Sequence, residues 1–295
     1  RSGGLHENDR QEIRGQLMAT MSECPDTGLP IYVDDSGEER KLGCLPTAAD
    51  EESLLQASSI PNINPAEWIT TTHEWAKKVI ESFLSLYLLN QRSHGSCVGF
   101  SAAGSLMWDI AKSGFPLAGR LSGAYVYSWI NGNRDAGASI VSALDALKRH
   151  GTCLESTVGW NTIYRSQIPA SADKEAQRFM LETGSTLQGF DSFVTAGQLG
   201  KPVQFGVMVG RNFGSFDDEG CCGYGGPGSN HSVFAAPFLV KKKNGGYKIP
   251  LVNSWGSWGP FGTGWCYVDS RHIEGGGGGF IHGTPKFDPQ AHQVG

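Results

Sequence analysis

Of the 7 cysteines in this 295-residue chain, Cys97 is the one placed to act as a nucleophile. It opens an apolar repeat of Val98, Ala102, Leu106 and Ile110, flanked by Ala103, Met107 and Ala111 and ended by Gly114 and Pro116. That spacing predicts a helix that begins at the thiol. Unsatisfied N–H groups and the macrodipole at a helix start favour an anion, so the thiol is expected to ionise more readily than usual. A thiolate attacks a carbonyl carbon and is acylated, and it needs a base and a group that orients the base. Downstream, Asn230-His231-Ser232-Val233 supplies an imidazole and Asn253-Ser254-Trp255-Gly256 supplies a carboxamide. His231 would take the thiol proton and later return it to the leaving amine. Asn253 would hold the ring in one tautomer. The plain alternative for a cysteine is a buried, inert thiol, and most of the 8 histidines must be structural.

The elements that would position these groups are legible in outline. Ala76, Val79, Ile80, Phe83, Leu84 and Tyr87 recur at helical spacing between Trp75 and Leu89. Helices are also expected at 122–130, at 139–150 with Gly151 as its cap, and at 172–181. Strands are expected at 203–209, at 231–240 and 247–252 around the Asn244-Gly245-Gly246 turn, and at 264–268. The glycines from Gly275 to Gly279 read as a loop. Residues 1–57 are polar and irregular and lack a long amphipathic helix. They read as an extension that wraps or tethers the domain, or as an arm for assembly partners.

Composition excludes several classes. The net charge is −5 and the sequence pI about 5.9. Lys241-Lys242-Lys243 is a single short basic run, so no nucleic-acid footprint is expected. No apolar stretch approaches the about 20 residues that span a bilayer. No signal peptide is legible, and the chain starts at Arg1, which reads as processing or trimming; secreted and virion-associated locations both stay open. Without paired Cys-x-x-Cys motifs, no structural zinc, other metal or cofactor is expected. The pairing of Cys24, Cys44, Cys153, Cys221, Cys222 and Cys266 stays open. Gly223-Tyr224-Gly225-Gly226-Pro227-Gly228 matches a dinucleotide-binding string, but Pro227 and the missing strand–helix context make it a loop leading to His231.

Gln91, six residues ahead of Gly95-Ser96-Cys97, then Asn230-His231-Ser232-Val233, then Asn253-Ser254-Trp255-Gly256 with its glycine-rich continuation through Gly264-Trp265, occur in an order that resembles the papain-like cysteine peptidases. Val98 after the nucleophile and His94 three residues before it resemble the bacterial and phage branch of that family. The resemblance implies an α+β fold of two lobes: a helical lobe (about 91–195) and an antiparallel, β-barrel-like lobe (about 196–285), with the cleft between them. The peptidase domain would span 58–295, after an extension at 1–57.

By the same resemblance, Cys97, His231 and Asn253 form the triad. Gln91 and the Cys97 N–H stabilise the oxyanion, and Trp255 shields the His–Asn hydrogen bond. Gly137 and Ala138 pair with substrate backbone, and Gly206, Ser229 and Ser232 line the main specificity pocket. Those pocket residues are small and uncharged, which implies weak selectivity or a pocket filled by Phe213, Tyr224 or residues 1–57. The implied activity is thiol hydrolysis of peptide or protein substrates without a cofactor. Two other readings stay open: a papain-fold structural or assembly protein, such as a virion component, and a transpeptidase or cell-wall amidase with the same triad.

Overall fold

The computed structural model describes residues 19–47, 61–115, 117–276, 279–282 and 285–287. Its centre is the helix Cys97–Lys112, buried without interruption from Cys97 to Ile110. Small residues let neighbours close on it: a Cβ at Gly99 would overlap the Gly123 carbonyl of the next helix. Around it stand the helices Gly123–Ile130 and Ile140–Arg149, with Ser122 and Ser139 capping their first turns. Leu106, Met107, Tyr127, Leu144 and Leu147 share this helical core. Each aliphatic side chain buried there contributes about 1.5–3 kcal/mol.

The second lobe is a largely antiparallel sheet. From one edge its strands run Val240–Lys241, Tyr247–Val252, His231–Ala235, Val203–Val207, Gly279–His282 and Gly184–Leu187, and Trp265–Val268 also pairs with Tyr247–Val252. Phe205, Val207, Val233, Leu251 and Val268 pack inside it. The helix His73–Tyr87, capped by Thr72, lays Ala76, Ile80 and Leu84 against the lobe's far side with Trp265 and Tyr267. The molecule is thus an α+β fold of two lobes.

Three expected elements differ in detail. The segment 172–181 splits into the helix Ala170–Ala176 and the strand Phe179–Leu181, because Gln177 and Arg178 interrupt its apolar spacing. The strand from His231 stops at Ala235, and Pro237 intervenes before Val240. The glycine run is not all loop: Gly275 ends the helix Ser270–Gly275 and Gly279 begins a strand, while Gly277 and Gly278 lie outside the described residues.

The least expected element is the N-terminal arm. Residues 20–41 form a three-stranded antiparallel sheet, Thr20–Glu23, Pro30–Val33 and Glu39–Lys41. The chain then enters the space between the lobes, where Cys44–Leu45 pairs with Ala138–Ser139 in parallel. Tyr32 and Leu42 join the core of the β lobe, and Cys44 joins that of the helical lobe.

Candidate active site

Cys97 sits at the first turn of the central helix and is fully buried. His231 opens the strand across from it and Asn253 follows the neighbouring strand Tyr247–Val252. The two lobes therefore present the thiol and the imidazole from opposite walls. The Nε2 of His231 lies 2.8 Å from the Asn253 Oδ1. Asn253 Oδ1 also accepts the Ser254 N–H at 2.8 Å, which fixes the amide oxygen from its own backbone. The other ring nitrogen, Nδ1, is buried and has no hydrogen-bond partner among the described residues. Trp255 lies against the imidazole with ring centroids 4.6 Å apart, excluding water from the His–Asn bond. The backbones of Ser232 and Gly43 act to lower the Cys97 pKa, so the thiol sits beside the backbone of His231's neighbour and against the arm.

The arm occupies the rest of the cleft. The Gly43 carbonyl accepts the Ala138 N–H at 2.8 Å, and the Cys44 N–H donates to the Asn230 carbonyl at 3.0 Å. Gly137, at φ +81°, leaves room for this approach, since a Cβ there would stand 2.6 Å from the Gly43 oxygen. Gln91 is fully buried. Its Nε2 donates to the His94 carbonyl at 2.8 Å and the Lys41 carbonyl at 3.3 Å, while its Oε1 accepts from Ser254 Oγ at 2.8 Å. A carbonyl of the arm thus already holds part of the donor capacity expected for an oxyanion.

The Cys44 side chain lies against Gly206 and Ser229, two of the residues expected to line the specificity pocket. Its sulfur lies 3.9 Å from Ser229 Oγ and 3.6 Å from where a Gly206 Cβ would be. Phe213 and Tyr224 do not fill it, contrary to that part of the sequence reading. Phe213 stacks on Trp258 at 5.2 Å and Tyr224 meets His272 edge-on. Ser232 turns its hydroxyl away, onto Ser101 Oγ at 2.7 Å and Gln204, and gives Cys97 only its backbone.

The expected thiolate is absent from this arrangement. Burial pushes the Cys97 thiol up to about 11, despite the backbone donors of Ser232, Gly43 and Val98. Burial likewise lowers His231 to about 4, against the support of Asn253. The helix start favours the anion, but desolvation under the arm outweighs it.

Several residues that hold this site were not singled out in sequence. Asp135 accepts the Gly95 N–H at 2.9 Å, Lys41 Nζ at 2.8 Å, Tyr127 Oη at 3.1 Å and His94 Nδ1 at 3.4 Å. It ties the loop before Cys97 to the arm, and gives His94 its place. Tyr32 stacks on Trp255 at 5.4 Å, and Arg40, buried, donates to the Asn90 Oδ1 and the Trp255 carbonyl. Ser254, inside the Asn-Ser-Trp-Gly string, was the one locally signalled partner, since a hydroxyl beside the orienting Asn can reach Gln91.

No protein-family model matches the chain, and no curated protein matches it. Solved structures do. The chain is similar to xylellain, a cysteine protease from Xylella fastidiosa, at 18% identity over 77% of this chain and 96% of that one, with a TM-score of 0.52. It is similar to digestive procathepsin L 3 of Tenebrio molitor larval midgut at 16% identity over 94% and 87%, with a TM-score of 0.58. It is similar to the bromelain protease of Ananas comosus, solved with the E64 inhibitor, at 19% identity over 68% and 94%, with a TM-score of 0.51. The fold is papain-like. In a papain-like fold the cleft lies between the lobes, and that is where Cys97, His231 and the segment 43–45 meet.

Proposed function

We propose that this chain is a papain-like thiol hydrolase of peptide bonds, held latent by its own arm. The observation that carries this reading is the imidazole of His231, held by Asn253 through Nε2 with Nδ1 unpartnered among the described residues, on the wall facing the Cys97 helix. With the arm withdrawn, water and substrate reach the cleft and the desolvation that keeps both groups neutral relaxes. His231 then takes the Cys97 proton, and the thiolate attacks a peptide carbonyl whose oxygen is held by Gln91 Nε2 and the Cys97 N–H. Imidazolium returns the proton to the leaving amine, and water deacylates the thioester by the same route. Gly137 and Ala138 hold substrate backbone where they now hold Gly43, and Gly206 and Ser229 receive the side chain that Cys44 now replaces. The arm is a poor substrate in its present pose. The Leu42 N–H, in the peptide that follows the Lys41 carbonyl, donates to the Pro30 carbonyl at 2.8 Å and ties that peptide into the arm's own sheet. Val98 and His94 support a place in the bacterial and phage branch.

A second reading is favoured by one observation. Tyr32, Leu42 and Cys44 are core residues of the two lobes, as expected of a papain-fold assembly protein whose cleft stays filled. The test is Gly43→Val, which would overlap the Gly95 carbonyl, with Lys41→Ala as a milder release of the arm. Hydrolysis of an unfolded protein that appears in either variant and vanishes on adding Cys97→Ala supports the peptidase. A cleft that opens to thiol reagents without any hydrolysis supports the assembly protein.

A further inference from the structure

A second group of nucleophilic and titratable side chains lies inside the β lobe, away from the cleft. Cys222 and Cys266 share the core of the β lobe. Cys222 sits on the loop ahead of His231, where its N–H donates to the Tyr267 carbonyl at 3.0 Å. Cys266 sits on the strand Trp265–Val268, and its register partner is Leu251, two residues before Asn253. The Nε2 of His272 lies 3.7 Å from the Cys222 sulfur, and its Nδ1 lies 3.1 Å from Asp269 Oδ1. Arg271 and Lys242 flank Asp269, Tyr224 covers the imidazole edge-on, and Cys221 adjoins on the chain. Among the described residues no trio of such side chains is arranged to hold a metal ion.

We infer that Cys222 and Cys266 are a peroxide-sensitive dithiol, in which Cys222 is oxidised first and Cys266 resolves it to a disulfide. The geometry places an imidazole, backed by a carboxylate, at the Cys222 sulfur, and a second thiol on the adjoining strand in the same core. The Cys266 thiol and His272 hold Cys222 below the ordinary thiol range, outweighing its burial, so a thiolate is available. Burial selects the oxidant: Cys222 is 4% exposed and Cys266 fully buried, which admits a small hydroperoxide and shuts out bulky disulfides. The Cys222 thiolate attacks one peroxide oxygen, the S–O bond forms as the O–O bond breaks, and hydroxide leaves. Cys222 is now a sulfenic acid and the peroxide has been reduced. The Cys266 sulfur then attacks the Cys222 sulfur, forming S–S as S–O breaks, and the departing hydroxide leaves with the Cys266 proton as water. Overall, two thiols and one peroxide give one disulfide and two waters. The bond would join the loop that delivers His231 to the strand beside the one that leads into Asn253.

The test is peptide mapping of the intact chain, unreduced, after excess hydrogen peroxide. A Cys222–Cys266 cross-link is expected, formed equally in Cys221→Ser and far more slowly with oxidised glutathione. In Cys266→Ser, Cys222 should be trapped by dimedone as the sulfenic acid. A cross-link through Cys221, Cys222 and Cys266 both still free, or Cys222 driven to sulfinic acid without a cross-link in the unmodified chain would each overturn the inference. None of these readouts depends on hydrolysis, so the inference stands or falls apart from the proposed peptidase activity.

Discussion

The cleft and the β lobe each bury a cysteine and a histidine, and the two sets carry opposite charge states. In the cleft, burial pushes Cys97 up to about 11 and His231 down to about 4, so both are neutral. In the β lobe, Cys222 is lowered, and His272 rises to about 9 because Asp269 and Cys222 together outweigh the cost of burial. Burial is common to both sets and cannot be the difference. The third residue is: the Asn253 amide favours a charged His231 less than burial disfavours it, whereas the Asp269 carboxylate, with Cys222, outweighs burial and holds His272 as a cation.

The largest effect expected at the cleft is chemical. With the arm released by Gly43→Val, adding Cys97→Ala or His231→Ala should lower peptide hydrolysis by ~10⁴-fold or more. Turnover that survives either change would remove the cleft pair from catalysis.

Gly43→Val alone should restore water to Cys97. A thiol brought from about 11 to an ordinary value gains about 10²-fold in thiolate at neutral pH. Its alkylation rate, followed by peptide mass spectrometry, should rise accordingly; an unchanged rate would mean that something other than the arm keeps the thiol neutral.

Asn253→Asp would convert the cleft pair toward its β-lobe counterpart. The His231 titration, followed by NMR, should move upward by about 1–3 units. If it stays at its present low value, the identity of the third residue does not set the charge.

The smallest effect is at the arm's anchor. Burial disfavours the Asp135 carboxylate, but His94 and Lys41 outweigh it and hold the group at about 2, below its ordinary 3.8. A depressed carboxylate stabilises the fold fully above pH 3.8, and that share drains away as pH falls toward 2. The difference corresponds to about 2 kcal/mol. Urea midpoints of Asp135→Asn should therefore fall below those of the unmodified chain at neutral pH and converge with them near pH 2. Parallel curves would show that Asp135 does not anchor the arm.

Much of the scaffold could be read from local pattern. The apolar period after Cys97, the caps at Ser122 and Ser139 and the turn at 244–246 all lie in contiguous residues, where spacing and side-chain chemistry decide conformation. Gln91, Cys97, His231 and Asn253 could be named because each stands in its own short motif. What pattern could not reach is pairing across long stretches of chain. Cys44 reaches its pocket through Ala138, Asn230 and Gly206, and nothing local distinguishes Gly43-Cys44 from any small dipeptide. The helix start at Cys97 was read correctly, yet its effect on the thiol was outweighed by burial under a segment whose own sequence is irregular. Asp135 likewise gains its role only when Lys41, His94, Gly95 and Tyr127 converge on it.

The seating of the arm also orders events during synthesis. Its contacts at Cys44 and Arg40 are with Asn230 and Trp255, residues that leave the ribosome close to two hundred positions later. Contacts so distant in sequence form late, because the intervening loop must be closed first. Residues 20–41 can pair among themselves as soon as they emerge, but Tyr32, Leu42 and Cys44 must wait, exposed, until the β lobe exists to receive them. The nascent chain therefore acquires the framework of its cleft before it acquires the plug, and sealing the cleft is among the last steps of its maturation.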